Sequence, residues 1–171
     1  MNITLTIIRD YIGLLAPIIL FVFTLLFLRN NTKYLLFFVF GTVLNNLLNV
    51  LLKFIIKEPR PTKDKTIIEI CVANGERISF DKYGMPSGHA QNCGFVLAYT
   101  TPILQNTLIT AIFILISFVS LFQRYLYSNH TILQLTVGLV VGIVVGYGSY
   151  FVASKYIRGQ INQKPDDNYI G

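Results

Sequence analysis

Four stretches of this chain, residues 11–28, 34–52, 90–123 and 131–154, carry no charged side chain and are mostly apolar. About 20 such residues, rising about 1.5 Å each, cross the hydrocarbon core of a bilayer as a helix. The third stretch is too long for one crossing. It breaks at Thr101, Pro102, Gln105 and Asn106, so it reads as two spans joined by a tight turn. The expectation is an all-α fold, a multi-pass membrane helical bundle of about five transmembrane helices. It forms one domain over residues 1–171, with its core at 34–154 and a polar tail at 155–171. Composition agrees: 53% of residues are hydrophobic and 13% charged, where soluble domains carry about 25% charged residues. The first run reads as a retained span rather than a cleaved signal, because acidic Asp10 and only Arg9 precede it and no small-residue cleavage site follows.

A net charge of +6 and a pI near 9.4 do not point to nucleic acid, since no basic run with interleaved aromatics lies outside the apolar segments. In a membrane chain, basic residues set orientation or meet lipid phosphates. Cys71 and Cys93 lack metal-ligand spacing. One falls in a polar loop and the other in an apolar helix, so no disulfide between them is expected. Gly138, Gly142 and Gly146 form a small-xxx-small stripe on the last span. It supports close helix packing but is weak evidence for a dimer, and the oligomeric state stays open.

Span counting places the chemistry. With five spans, the 53–89 segment and the 124–130 turn fall on one membrane face, because two crossings separate them. That face gathers both histidines of the chain, His89 and His130, with Lys53, Arg60 and Arg124. Orientation follows Lys and Arg in short loops. The two faces nearly balance once those three cations are set aside for ligand. The expectation is an integral membrane protein with a lumenal or extracellular active face, with the endoplasmic reticulum as the candidate organelle.

Three segments carry the candidate residues. In the first, Lys53 ends a helix and Arg60 sits between Pro59 and Pro61, which hold it extended. Such cations often just snorkel to the interface. Upstream, however, Asn45 and Asn49 share a helical face with Lys53, a polar stripe that suits a protein interior or a wet cavity better than lipid. In the second, Ser87 and Gly88 open a helix, where free N–H groups and the helix dipole favour an anion. An ordinary Ser87 cap would explain that pair but not His89 beside it. In the third, Arg124 closes one span and His130 opens the next, with Gln134 one turn further along the same face. The Gln134 carbonyl can accept from one imidazole nitrogen and leave the other to attack. The bland alternative is an interfacial turn anchored by Tyr125 and Tyr127. Phosphoryl transfer needs several fixed cations, backbone donors and an in-line nucleophile, and this face offers all three.

The pattern Lys-x6-Arg-Pro, then Pro-Ser-Gly-His, then Arg-x5-His resembles the phosphatidic acid phosphatase type 2 superfamily. The Lys-Glu-Pro-Arg-Pro, Tyr-Gly-Met-Pro-Ser and His-Thr-x-x-Gln texts are most similar to its dolichyl diphosphate phosphatase branch. The resemblance covers Lys53 to about Gly146. It implies an integral-membrane lipid phosphatase that needs no metal or other cofactor. Its partners would be the bilayer and a membrane lipid phosphate, here a polyprenyl diphosphate cleaved to the monophosphate. By the same resemblance His130 attacks phosphorus to form a phosphohistidine. His89 protonates the leaving oxygen and later activates water, and Gln134 orients His130. Lys53, Arg60 and Arg124 clamp the phosphate, with Ser87 and Gly88 donating beside them.

There are two departures from the superfamily pattern. Gln123 stands where Ser commonly precedes the arginine, and Gln134 where Asp is usual. An amide can orient an imidazole but supplies no charge to its cationic form. The family usually has six spans, so five suggests a trimmed N-terminal half. Other readings stay open: a broad lipid phosphate monoesterase or phosphotransferase, an inactive lipid-phosphate-binding protein, or a channel or transporter subunit, which the Asn stripe favours.

Overall fold

The structure, a computed structural model, describes residues 3–61, 72–73 and 76–156. Among these residues there are five α-helices: α1 (Ile3–Leu28), α2 (Thr32–Ile56), α3 (Gly88–Leu104), α4 (Thr107–Leu126) and α5 (Ile132–Tyr156). Between α2 and α3 lie a 3-10 turn at Ser79–Lys82 and a two-residue antiparallel pairing of β1 (Val72–Ala73) with β2 (Glu76–Arg77). The all-α expectation holds. Cys71 and the tail from residue 157 onward lie outside the described residues, and Cys93 is a buried free thiol.

The helix ends follow local chemistry. The Asn31 side chain accepts from the Tyr34 N–H at 3.5 Å and opens α2. The Asn106 side chain accepts from the Ile109 N–H at 3.1 Å and opens α4. These are N-caps that satisfy donors lacking an intrahelical partner. Thr101 and Pro102 lie inside the last turns of α3, so the break in the long apolar stretch falls at Gln105, in left-handed conformation at φ 46°, and at Asn106. α1 begins well before the uncharged run and takes in Arg9 and Asp10. The charges are tolerated because they are paired: Arg9 meets Asp10 at 2.7 Å, and the Tyr127 hydroxyl donates to the same carboxylate.

α1, α2, α4 and α5 are long and apolar enough to cross a membrane; α3, at 17 residues, falls short of that standard. The difference has a packing cause. α3 touches each of the other four helices, so its neighbours stand between it and lipid and it can carry amides. Its tightest partner is α5. Gly138 faces the Ser87 backbone, Gly142 the Gln91 carbonyl and Gly146 the Phe95 backbone. A Cβ at Gly142 would stand 2.8 Å from the Phe95 nitrogen, closer than real side chains approach. The glycine stripe is therefore spent inside the bundle. Away from the site, Phe38, Phe95 and Tyr99 cluster with ring centroids 5.5 to 6.0 Å apart, and the Tyr99 hydroxyl donates to the Tyr34 carbonyl at 2.7 Å. This apolar plug ties the start of α2 to the far half of α3.

Candidate active site

The site is built on the buried polar face of α2. Asn45, Asn49 and Lys53 are all buried there, and α3 supplies partners to the two asparagines. The Asn49 amide donates to Gln91 Oε1 at 2.8 Å and to the Pro86 carbonyl at 3.2 Å. Gln91 Nε2 donates to the Asn45 carbonyl at 2.7 Å and to its Oδ1 at 3.0 Å. Asn45 Nδ2 in turn donates to Asn92 Oδ1 at 3.1 Å. The stripe that could have lined a channel is hydrogen-bonded across a helix interface. It sets the height of α3 against α2, and with it the position of Ser87–His89.

Lys53 ends this face. Its ammonium donates to the Tyr83 carbonyl at 3.1 Å and lies 5.8 Å from the centroid of Phe80. Beyond α2, Pro59 pairs with Tyr83, and the Gly84 N–H donates to the Glu58 carbonyl at 2.8 Å. These bonds hold the Arg60 segment against the loop before α3. Arg60 Nε donates to the Asp81 carbonyl at 2.8 Å and Nη2 to the Asp81 carboxylate at 2.6 Å. Arg77 Nη1 meets the other carboxylate oxygen at 2.7 Å, and Arg77 Nη2 donates to Asn129 Oδ1 at 3.1 Å. Asp81 thus fixes two guanidinium planes beside the site.

The α4–α5 turn places the nucleophile candidate. The Arg124 carbonyl accepts the N–H groups of Asn129 at 3.0 Å and His130 at 3.4 Å, and Arg124 itself is buried in the last turn of α4. His130, 3% exposed, sits between two partners. Arg60 Nη1 lies 2.9 Å from its Nε2 and Gln134 Oε1 lies 3.2 Å from its Nδ1. A guanidinium only donates, so Nε2 must present its lone pair and Nδ1 must carry the proton. Gln134 is oriented as this requires, because its Nε2 donates to Glu58 at 2.7 Å and to the Pro59 carbonyl at 2.9 Å. Its Oε1 also receives the Thr131 N–H at 3.3 Å. Burial pushes the His130 pKa well below the usual histidine range, and the positive charges of Arg60 and Lys53 push the same way, outweighing the opposing bond to Gln134. The ring is held neutral with one nitrogen bare, the form a nucleophile needs.

Ser87 and Gly88 open α3 as expected, with one change. The Ser87 N–H is taken by the Gln134 carbonyl at 3.1 Å, so it is not available to an anion. The Ser87 hydroxyl makes no cap bond; it is wholly buried and has no hydrogen-bond partner among the described residues. The first-turn N–H groups that follow lack intrahelical partners by helix geometry. His89 lies within electrostatic reach of Arg124, Arg60 and Lys53, and its Nε2 sits 3.0 Å from the Leu14 carbonyl of α1. A carbonyl only accepts, so Nε2 carries hydrogen there, which leaves Nδ1 with its lone pair in the neutral ring.

The structure therefore brings the eight residues singled out in the sequence, Lys53, Arg60, Ser87, Gly88, His89, Arg124, His130 and Gln134, to one end of the bundle. Sequence reasoning missed Glu58, Arg77 and Asp81, which support them, and the part α1 plays in holding His89. Asp10 inside an otherwise apolar helix was the available signal that α1 faces protein. Gln123, the other departure from the expected pattern, is buried and donates to the Asp10 carbonyl at 3.3 Å, packing α4 on α1 at Gly13.

Comparison with known proteins adds the lineage. Dolichyldiphosphatase of Saccharomyces cerevisiae is 30% identical over a region covering 66% of this chain and 49% of that protein. The chain thus spans about half the length of this relative. No solved structure matches the chain. The sequence profile of the PAP2 superfamily matches residues 34–158, a stretch that begins with α2 and holds all eight converging residues, and by that match the chain belongs to the PAP2 superfamily.

Proposed function

We propose that the protein is an integral-membrane lipid phosphatase that hydrolyses a polyprenyl diphosphate to the monophosphate and inorganic phosphate. The reaction passes through a phosphohistidine on His130 and uses no metal. The observation that carries this reading is the His130 ring itself, neutral, with Nδ1–H fixed on Gln134 and the Nε2 lone pair turned toward a cationic rim. Nε2 attacks the terminal phosphorus, and the bond from phosphorus to the bridging oxygen breaks. To assist departure His89 must first take a proton at Nδ1, which the bound diphosphate anion favours and can supply; it returns that proton to the leaving oxygen as the lipid monophosphate departs. Arg60 exchanges its contact with Nε2 for a non-bridging oxygen, joined by Lys53, Arg124 and the Ser87 hydroxyl. Water then attacks phosphorus while His89 takes its proton; the P–N bond breaks and phosphate leaves. A lipid phosphate is a better leaving group than an alkoxide and needs less acid help, which suits a site built on an amide. The 30% identity to a dolichyldiphosphatase supports the choice of substrate class.

Phosphate release from the purified protein, measured across prenyl diphosphates, prenyl phosphates and phosphatidate, tests the proposal. The expected result is a preference for a diphosphate, loss of release to background in His130→Ala, and unchanged release in EDTA. Strict dependence on a divalent metal, or full activity in His130→Ala, would sink it.

A further inference from the structure

The usual carboxylate beside the nucleophile is replaced in this chain by Gln134, yet a carboxylate stands directly behind that amide. Glu58 Oε1 accepts from Gln134 Nε2 at 2.7 Å while Gln134 Oε1 faces His130 Nδ1 at 3.2 Å. Gln134 is wholly buried. Gly84 lies against its amide, where a Cβ would stand 2.7 Å from Cδ, so the amide fits there only because residue 84 lacks a side chain. The Pro59 carbonyl, a second acceptor on Nε2 at 2.9 Å, fixes the same orientation. We infer that Glu58 is a positioning residue that supplies, through the Gln134 amide, the negative charge that orients His130 and stabilises its ring when Nε2 bonds to phosphorus. The inference rests on the proposed role of His130 as nucleophile.

The physical basis is amide polarisation. A carboxylate on the N–H side of an amide favours the resonance form with charge on the carbonyl oxygen, and hydrogen bonds in such a chain strengthen one another at low dielectric. When Nε2 forms its bond to phosphorus, the ring becomes cationic and retains the Nδ1 proton. The strengthened Gln134 oxygen meets that proton. No proton moves along the chain, so the Gln134 amide stays neutral throughout. Placing the carboxylate one residue away also explains why glutamine suits this position. An aspartate at 134 would set two carboxylates against each other, and like charges at that range do not both ionise readily.

The test uses the full chain in detergent, with wild type and His130→Ala run alongside. Glu58→Gln keeps the shape and an acceptor oxygen but removes the charge. Its kcat for phosphate release is expected to fall about tenfold with KM changed less than twofold, a pattern that marks an interaction made in the transition state. The double variant Glu58→Gln/Gln134→Asp moves the carboxylate next to His130 and is expected to recover most of the lost kcat. Gln134→Asp alone is expected to be slow at pH 8 and to gain on wild type as pH falls to 6, when the paired carboxylates take up a proton. If His130→Ala is inactive while Glu58→Gln retains wild-type kcat, the inference fails and the nucleophile assignment stands. If His130→Ala is active, the nucleophile assignment fails and the inference with it. Should Glu58→Gln not fold, Gln134→Asp decides: a rate ratio to wild type that is flat between pH 6 and 8 overturns the inference.

Discussion

At the scale of single residues, His130 ties structure most directly to a measurable pH dependence. An unperturbed imidazole gains its proton as pH falls through about 6.5. Burial first, and then Arg60 and Lys53, disfavour that protonated form in the folded protein, so the neutral ring of the proposed nucleophile persists below the usual range. The acid limb of kcat/KM that belongs to His130 is therefore expected below pH 6.5. Replacing Arg60 by Gln removes one of the charges, so the limb should move up toward 6.5 while the plateau drops about 10²-fold or more from the lost phosphate donor. Comparing the two profiles on one substrate cancels the substrate's own ionisation, and a limb that stays in place would show that Arg60 does not act on the ring. The pairing of His130 with Gln134 was legible in the sequence because a spacing of four on a helix is a local rule. Glu58, Arg77 and Asp81 were not. Their partners, Gln134, Asn129 and Arg60, lie in other segments, and no periodicity encodes which loop side chain reaches across.

At the scale of elements, the α3–α5 contact decides whether the Ser87–His89 segment and His130 face each other. Gly142 meets the Gln91 carbonyl directly, whereas nothing lies within 4 Å of a Cβ placed on Gly148. Gly142→Leu is expected to destabilise by at least about 3 kcal/mol through overpacking against backbone and to abolish phosphate release. Gly148→Ala, on the same helix, should melt at or slightly above the wild-type temperature, since Ala is the better helix former. A thermal shift assay in detergent separates the two. α1 offers a second case. Pro17 lies inside this helix and has no N–H, so the Gly13 carbonyl loses its donor four residues on. The Ser120 hydroxyl replaces it at 2.8 Å. Ser120→Ala should cost about 1 kcal/mol in the wild type and close to nothing after Pro17→Ala, which restores a backbone donor. A cycle without coupling would show that α4 does not satisfy this carbonyl. Four apolar runs told where most helices lie, because lipid demands uninterrupted apolar length. The start of α1 was hidden by Arg9 and Asp10, whose mutual pairing and contact with Tyr127 could not be read from a charge count.

At the scale of the whole molecule, five helices in alternating direction put the start of α1, the end of α2, the start of α3 and the α4–α5 turn at one end. Two contacts fix this arrangement: Arg9 and Asp10 reach Tyr127 just past the end of α4, while Phe37 near the start of α2 stacks on Tyr156 at the end of α5, 6.2 Å between centroids. The end of α5 therefore points to the face opposite the site. If the site faces the lumen, the face the sequence reading favours, a glycosylation acceptor carried on a polar spacer joined directly after Tyr156 at the end of α5 faces the cytosol and stays unmodified in microsomes. The natural Asn129 triplet cannot confuse that measurement, because Asn129 is 1% exposed and its side chain accepts from Arg77. Asn30 is exposed but lies in the short turn between α1 and α2, at the same face as the added acceptor. Asn2 begins a further acceptor triplet before α1, so the measurement is made on Asn2→Gln, and the expected outcome is a single unglycosylated band, unchanged by glycosidase. A glycosidase-sensitive upward shift caused by the added acceptor would place the site in the cytosol. The proposed lipid diphosphate substrate would then have to be presented from the cytosolic leaflet, because a headgroup of that charge does not cross the hydrocarbon core unaided.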